Sequence, residues 1–241
     1  MATRLVSVVF DVLDLRSMSA WWAAALGWEV VFEADDEVEL SSGYPGLPVL
    51  TFGAVPEPKV VKNRVHLDLS SSSVEEQAAI VTRLVDAGAA PVDVGQADHP
   101  WTVLADPEGN ELCVLEPRDR YPGGGSLVAV VMDVADPEAV APFWVAATGW
   151  TVAEASPDGV SLRPPGGGPP DLELLRVADP KVVKNRVHLD VAPFAGDDRD
   201  AEVDRLLALG GRGVDVGQGP EVTWVVLADP EGNELCVLSP R

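Results

Sequence analysis

Apolar and polar positions fall along this chain in short blocks that recur in one order. Leu5–Val12 is an almost unbroken apolar and β-branched run, which predicts a strand. Ser17–Leu26 predicts a helix stopped by Gly27, and Trp28–Glu33, Glu37–Leu40 and Val49–Phe52 predict three short strands. The order then restarts. Arg64–Leu69 predicts a strand, and Ser73–Ala87 a helix with a capping box (Ser73, Glu76) and Gly88 at its end. Val92–Val94, Trp101–Ala105 and Glu111–Leu115 predict three more strands. The unit is strand, helix, three strands, and it occurs twice by residue 115. The second half of the chain follows the same plan. Its first helix opens on Asp136-Pro137, stops at Gly149, and contains Pro142, which should kink or shorten it. Its second helix falls near Ala201–Leu209.

The halves are also copies in sequence. Lys59–Asp68 returns unchanged as Lys181–Asp190, Val92–Gln96 as Val214–Gln218, and Val103–Leu115 as Val226–Leu238. Identical strings in one order mean duplication of a unit long enough to bury its own core. Two domains follow, 1–118 and 127–241, joined by a Pro-, Gly- and charge-rich linker at 119–126. The copies diverge between their third and fourth strands, at residues 41–46 against 163–170, where loops on a common scaffold set specificity.

Charge narrows the partners. The net charge of −22 argues against nucleic acid and anionic membranes and suits a cationic small ligand. All four lysines (Lys59, Lys62, Lys181, Lys184) lie in the repeated decapeptide with Arg64 and Arg186, so each acidic half carries one basic cluster. Cys113 and Cys236 occupy equivalent places, which disfavours a disulfide and points to a reduced, cytoplasmic protein. Residues 1–13 lack the regions of a signal peptide, and no apolar run has membrane-spanning length.

Strand alternation assigns faces. Val65, Leu67 and Leu69 should pack on helices, leaving Arg64, His66 and Asp68 opposite. Likewise Leu112 and Val114 oppose Glu111, Cys113 and Leu115, and Ser7, Val9 and Asp11 share the mixed polar face. That face is the candidate cleft.

The βαβββ order, the Trp-bearing first helix ending in Leu26-Gly27-Trp28, the strand Val65-His66-Leu67-Asp68 and the turn Asp106-Pro107-Glu108-Gly109-Asn110 together resemble the vicinal oxygen chelate superfamily, the glyoxalase, bleomycin-resistance and dioxygenase fold. The chain looks like tandem glyoxalase-like proteins of actinobacterial type. The resemblance implies an α+β fold of two tandem glyoxalase-like domains, each a pair of βαβββ modules forming a curved mixed sheet around a cleft. The chain would then be a monomeric pseudo-dimer or a homodimer. It also implies where the superfamily's metal ligands would fall: near Ser7 and Ala129, on His66 and His188, and on Cys113 and Cys236. Only the histidines survive as such, so no metal or other cofactor is expected unless Asp11 or Asp68 supplies a further ligand.

Candidate acid–base groups are His66, His188, Asp11 and Asp133; each histidine is equally readable as a buried structural imidazole. Trp101 and Trp224 are candidates to stack on a flat ligand, and Tyr44 lies in the divergent loop. Arg64 and Arg186 would bind an anion or brace the acidic turn, and Cys113 and Cys236 are thiols or small core residues. The leading expectation is metal-independent capture of a cationic or aromatic small molecule, as antibiotic-resistance binding proteins of this fold do. The alternative is a metal-free isomerase, lyase or cyclase. A divalent-metal glyoxalase or dioxygenase has least support.

Overall fold

The computed structural model describes residues 3–44, 46–96, 98–121, 124–219 and 221–241. Pro45 of the divergent loop, residues 122 and 123 of the linker, and residues 1 and 2 of the N-terminal segment lie outside them. The architecture is α+β, built from four βαβββ modules. The first comprises β1 (Thr3–Val12), α1 (Leu15–Leu26), β2 (Glu29–Glu33), β3 (Glu37–Ser41) and β4 (Val49–Ala54). The second comprises β5 (Val65–Leu69), α2 (Val74–Asp86), β6 (Ala90–Pro91), β7 (Thr102–Ala105) and β8 (Glu111–Val114). The third comprises β9 (Leu127–Val134), α3 (Pro137–Thr148), β10 (Thr151–Ser156), β11 (Gly159–Arg163) and β12 (Asp171–Arg176). The fourth comprises β13 (Val187–Pro193), α4 (Arg199–Ala208), β14 (Arg212–Gly213), β15 (Val225–Ala228) and β16 (Glu234–Val237).

Three local expectations shift. Helix α1 starts two residues before Ser17, because Asp14 rather than Ser17 is the cap and its carboxylate accepts from the Ser17 amide. Pro142 does not shorten α3, which has the 12 residues of α1; its ring sits on an exposed face, and the only helical bond it forgoes is to the Glu138 carbonyl. The edge strand β6 lies at Ala90–Pro91 rather than Val92–Val94. Proline is tolerated at an edge, and the Asp93 carboxylate bends the chain after it by accepting from the Gly95 amide.

The sheets cross the boundary between the repeats. One runs β14-β15-β16-β13-β1-β4-β3-β2 and the other β10-β11-β12-β9-β5-β8-β7-β6. Each eight-stranded sheet therefore takes one module from each half of the chain. The central pairings are antiparallel, β1 with β13 and β5 with β9, while β4 and β16 flank their neighbours in parallel. Modules copied from one ancestor present equivalent edges, so exchange across the repeats satisfies the same backbone hydrogen bonds as pairing within them.

One apolar core underlies both sheets. It contains Phe10, Trp22 and Phe52 from the first module and Phe143 and Trp144 from the third. Burial of side chains of this size supplies about 2 kcal/mol each or more. The repeated tryptophans also have a polar duty. Trp22 Nε1 donates to buried Asp106 at 3.0 Å, and Trp144 Nε1 to Asp229 at 3.0 Å. Asp106 in turn accepts from the Glu108 and Asn110 amides and from Asn110 Nδ2. This network shapes the Asp-Pro-Glu-Gly-Asn turn, whose glycine sits at φ +87° in the first copy and +95° in the second, a conformation that favours glycine.

Candidate functional site: one open cleft and one filled cleft

The apolar faces of β1 and β13 go to the core, and the opposite faces build a cleft on the first sheet. Its volume is about 1430 Å³. Ser7, Val9 and Asp11 line it from β1, His188 and Asp190 from β13, and Cys236 from β16. Trp224 stands at its wall, 39% exposed. The assignment of faces from alternation is thus matched by the structure.

At the base, strand register sets the contacts. Asp190 lies opposite Ser7 on one side and Cys236 on the other. His188 Nε2 sits 3.5 Å from Asp190 Oδ1. Yet His188 Nδ1 and Asp190 Oδ1 are buried without a hydrogen-bond partner among the described residues, as is Thr51 Oγ1 on neighbouring β4. Each orphan of this kind costs about 1–3 kcal/mol where nothing satisfies it. Burial pushes the Asp190 carboxyl above its ordinary value. Burial, reinforced by the Asp190 charge, pushes the Cys236 thiol far up, so it is a poor nucleophile; Cys113 is pushed up in the same way by burial and Asp68.

The acidic wall comes from β3 and the residue before it. Asp36, Glu37 and Glu39 line the cleft. Burial and then the charges of Glu39, Asp190 and Asp36 raise the Glu37 carboxyl above its ordinary value. These carboxylates were not singled out in the sequence, although the alternation Glu37-Val38-Glu39-Leu40 carries the signal: two acids facing away from a buried Val38 and Leu40.

The second sheet has the same groups and a different fate. His66 Nε2 lies 3.3 Å from Asp68 Oδ1, and Cys113 lies opposite Asp68. The chain itself covers this cleft, leaving about 120 Å³. Tyr121 Oη donates to Asp171 and Glu173, and Arg120 pairs with Asp171 at 2.6 Å and Glu173 at 3.0 Å. Arg163 holds the same Asp171, which is fully buried. Tyr121 packs with Cys113, Leu115 and Val128, against Trp101. The linker was read as a spacer, and nothing in its composition signals that it fills a site.

The other candidates sort accordingly. Asp11 pairs with Lys184, and Asp133 with Lys62 at 2.5 Å, so both carboxylates are engaged by lysines of the repeated decapeptides. Asp68 and Asp190 face histidine and thiol. Arg64 donates to the Asp133 and Asp179 carbonyls and to Asn233, and Arg186 to the Glu57 carbonyl and Glu108. The two arginines therefore brace the opposite repeat, while Lys59 and Lys181 pair with Glu111 and Glu234 of their own. Trp101 stacks on His99 at 4.2 Å and belongs to the covered cleft. Tyr44 is 73% exposed and lies outside the open cleft.

The metal ligand set implied by the superfamily is only partly kept. The first-strand positions hold Ser7 and Ala129, and the last-strand positions hold thiols. A different third donor is present, however: the donor atoms of His188, Asp190 and Cys236 lie within 4.8 Å of one another, and so do those of His66, Asp68 and Cys113. Imidazole, carboxylate and thiolate suit zinc. Asp190 Oδ1, which has no hydrogen-bond partner among the described residues, is consistent with such a group. When bound it would supply a positive charge and an open coordination position in the cleft.

Paired βαβββ modules around a polar cleft define a protein of the glyoxalase fold. The family described as the glyoxalase-like domain matches residues 7–115 and again 129–238, and the chain belongs to that family. Maize glyoxalase I is similar in structure, with a TM-score of 0.68 and 18% identity over 99% of this chain and 92% of that one. A Bacillus subtilis protein provisionally named a dioxygenase has a TM-score of 0.67 and 13% identity over 98% and 84%. At these identities the likeness is one of fold. No curated protein matches the sequence at a significant level. Among the described residues no helix is long and apolar enough to cross a membrane.

Proposed function

We propose that this chain captures a cationic, aromatic-bearing small molecule in the cleft of the first sheet and holds it unaltered, a sequestering role of the antibiotic-resistance type. The observation that carries the reading is the contrast between the clefts. The open one is walled by Asp36, Glu37, Glu39 and Trp224, while the other is occupied by the chain's own Arg120 and Tyr121. A cation gains from the acidic wall, a flat ring from the Trp224 face, and a donor from the vacant Thr51 Oγ1. Recognition in this reading rests on side chains alone.

Calorimetry and native mass spectrometry with guanidinium- and ammonium-bearing aromatics, set against neutral and anionic analogues, test it. Saturable one-to-one binding of cations that leave with unchanged mass is the expected result. Equal binding of anions would sink the charge argument.

A second reading has its own observation. His188 lines the cleft base with Nε2 3.5 Å from Asp190 Oδ1, and its imidazole is the cleft's candidate to accept a proton from a bound ligand. A metal-free isomerase, lyase or cyclase would use it so. A ligand recovered with altered mass or connectivity, and preserved in His188→Ala, would decide for that reading.

A further inference from the structure

We propose that the covered cleft of the second sheet is a ligand site in its own right, selective for a guanidinium carried beside an aromatic ring, and that Arg120 and Tyr121 are its tethered occupant. The proposal goes beyond capture in the open cleft, and either can fail without the other.

The floor of this site is ionic. Asp171 is fully buried on β12, with Glu173 part-buried two residues further along the same strand. Arg163 holds Asp171 through Nε at 2.9 Å and Nη2 at 2.7 Å. Ser161 Oγ donates to Glu173. The sheet therefore brings two carboxylates and one cation, and the linker supplies the second cation. Arg120 Nη2 lies 2.6 Å from Asp171 and 3.0 Å from Glu173. Tyr121 Oη lies 3.2 Å and 2.9 Å from the same two residues. The Arg120 guanidinium stands 5.3 Å from the centre of the Tyr121 ring, and that ring packs on Cys113, Leu115 and Val128. A planar cation with several donors thus faces paired carboxylates while a ring fills the apolar slot beside it.

Two features separate this arrangement from ordinary packing. The linker is not woven into the sheet. Among the described residues, the only backbone-to-backbone hydrogen bond made by residues 116–121 is internal, from the Tyr121 amide to the Arg118 carbonyl at 2.9 Å. Leu115 is anchored to Leu69 and Gly125 to Ser70, and between those anchors the hold on the sheet comes from side chains, as it does for a ligand. The charges also belong to this copy alone. Arg163, Asp171 and Glu173 stand where the first sheet has Ser41, Val49 and Thr51. A buried ionic cluster adds little stability over apolar residues of the same volume, so fastening a linker does not call for one. What the cluster adds is discrimination, because a neutral or anionic occupant leaves a carboxylate unmatched.

The site has room to exchange its occupant. A cavity of about 120 Å³ remains between linker and sheet, and lifting Arg120 and Tyr121 would add the volume of both side chains. The tether competes with a free ligand at an effective concentration on the order of millimolar. The intact chain should therefore take such a ligand at least about tenfold more weakly than a chain whose occupant has been cut back.

The probe is N-acetyl-arginyl-tyrosinamide, which carries the two side chains and no other charge. Calorimetry on the full-length chain with Arg120→Ala and Tyr121→Ala should show one saturable equivalent more than the parent takes at the same probe concentration. Adding Glu173→Gln should weaken that equivalent at least about tenfold, the worth of one charged hydrogen bond. The citrulline analogue of the probe, neutral and of nearly the same shape, should lose it too. Probe taken by the open cleft appears in parent and variant alike and is unmoved by Glu173→Gln, so the two sites are scored separately. Arg120→Ala alone, which keeps Tyr121, gives a reading independent of the double variant's folding. Methylguanidinium should raise its melting temperature and leave the parent's unmoved, and methylammonium should do neither. A folded double variant that takes no more probe than the parent, equal uptake of the citrulline analogue, or an Arg120→Ala chain indifferent to methylguanidinium would overturn the proposal.

Discussion

Residue by residue, the polar groups of this chain divide into those that are satisfied and those that wait. Asp106 is of the first kind, with four donors converging on its two oxygens. Asp106→Ala strands two amides and the Trp22 indole in the interior, and should cost about 3 kcal/mol in urea unfolding. A loss within experimental error would mean that the turn holds itself. Glu37 is of the second kind. Its carboxyl is raised above 4.5 chiefly by burial, then by its acidic neighbours. The sign for binding follows. A protonated Glu37 gives a cation nothing, so affinity for a cationic ligand should rise as pH climbs through that raised value and level off above it. Glu37→Gln should flatten the profile and weaken binding about three- to tenfold, the worth of one partly screened pair; a pH profile unchanged in the variant would assign the titration elsewhere. The candidate site was legible to this depth in the sequence: alternation placed Ser7, His188 and Cys236 on one face. It did not show that Asp11 and Asp133 would be taken by lysines from a decapeptide far along the chain. Periodicity reports which way a side chain points, not which distant strand lies beside it.

Elements repeat more faithfully than their surroundings do. The two copies of the His-x-Asp strand and its cysteine partner are superimposable in register, Asp68 with Cys113 and Asp190 with Cys236. What separates them is a segment read from composition as a spacer. Arg118–Tyr121 lies across the second sheet because Asp171 and Glu173 occur there, where the first sheet has Val49 and Thr51 at the matching positions. Burial alone would push Asp171 up; the bonds from Arg163 and Arg120 overcome it and hold the carboxyl below its ordinary value. The pair thus contributes stability at neutral pH that is lost as pH falls through that depressed value. Arg120→Ala with Tyr121→Phe should remove about 2 kcal/mol from stability, since Arg163 remains as a partner and Arg120 is itself part-exposed. Thermal melts of the variant and parent at neutral pH check this. An unchanged midpoint would mean that the linker merely rests on the sheet.

At the scale of the whole molecule, two sequence repeats and two sheets divide the chain along different lines. The duplication and the module order were readable from identical strings and breaker residues. The exchange of modules was not, because copies of one module carry the same edge pattern and sequence cannot choose between them. Its consequence is mechanical. Each half contributes one central strand to each sheet, so the halves are joined by β1 against β13 and by β5 against β9 as well as by the covalent linker. Turn-bracing contacts cross in the same sense: Arg186 reaches Glu108, and Arg64 reaches Asn233. A protease site inserted after Tyr121 and cleaved in the folded protein should therefore leave the halves together. They should co-elute in native size exclusion at the position of the intact chain and part only in denaturant. The open cleft, drawn from the first and fourth modules, should keep its ligand after the cut. Halves that separate freely without denaturant would mean that each repeat closes its own sheet in solution, and the cleft described here would then have to be rebuilt from modules of a single repeat.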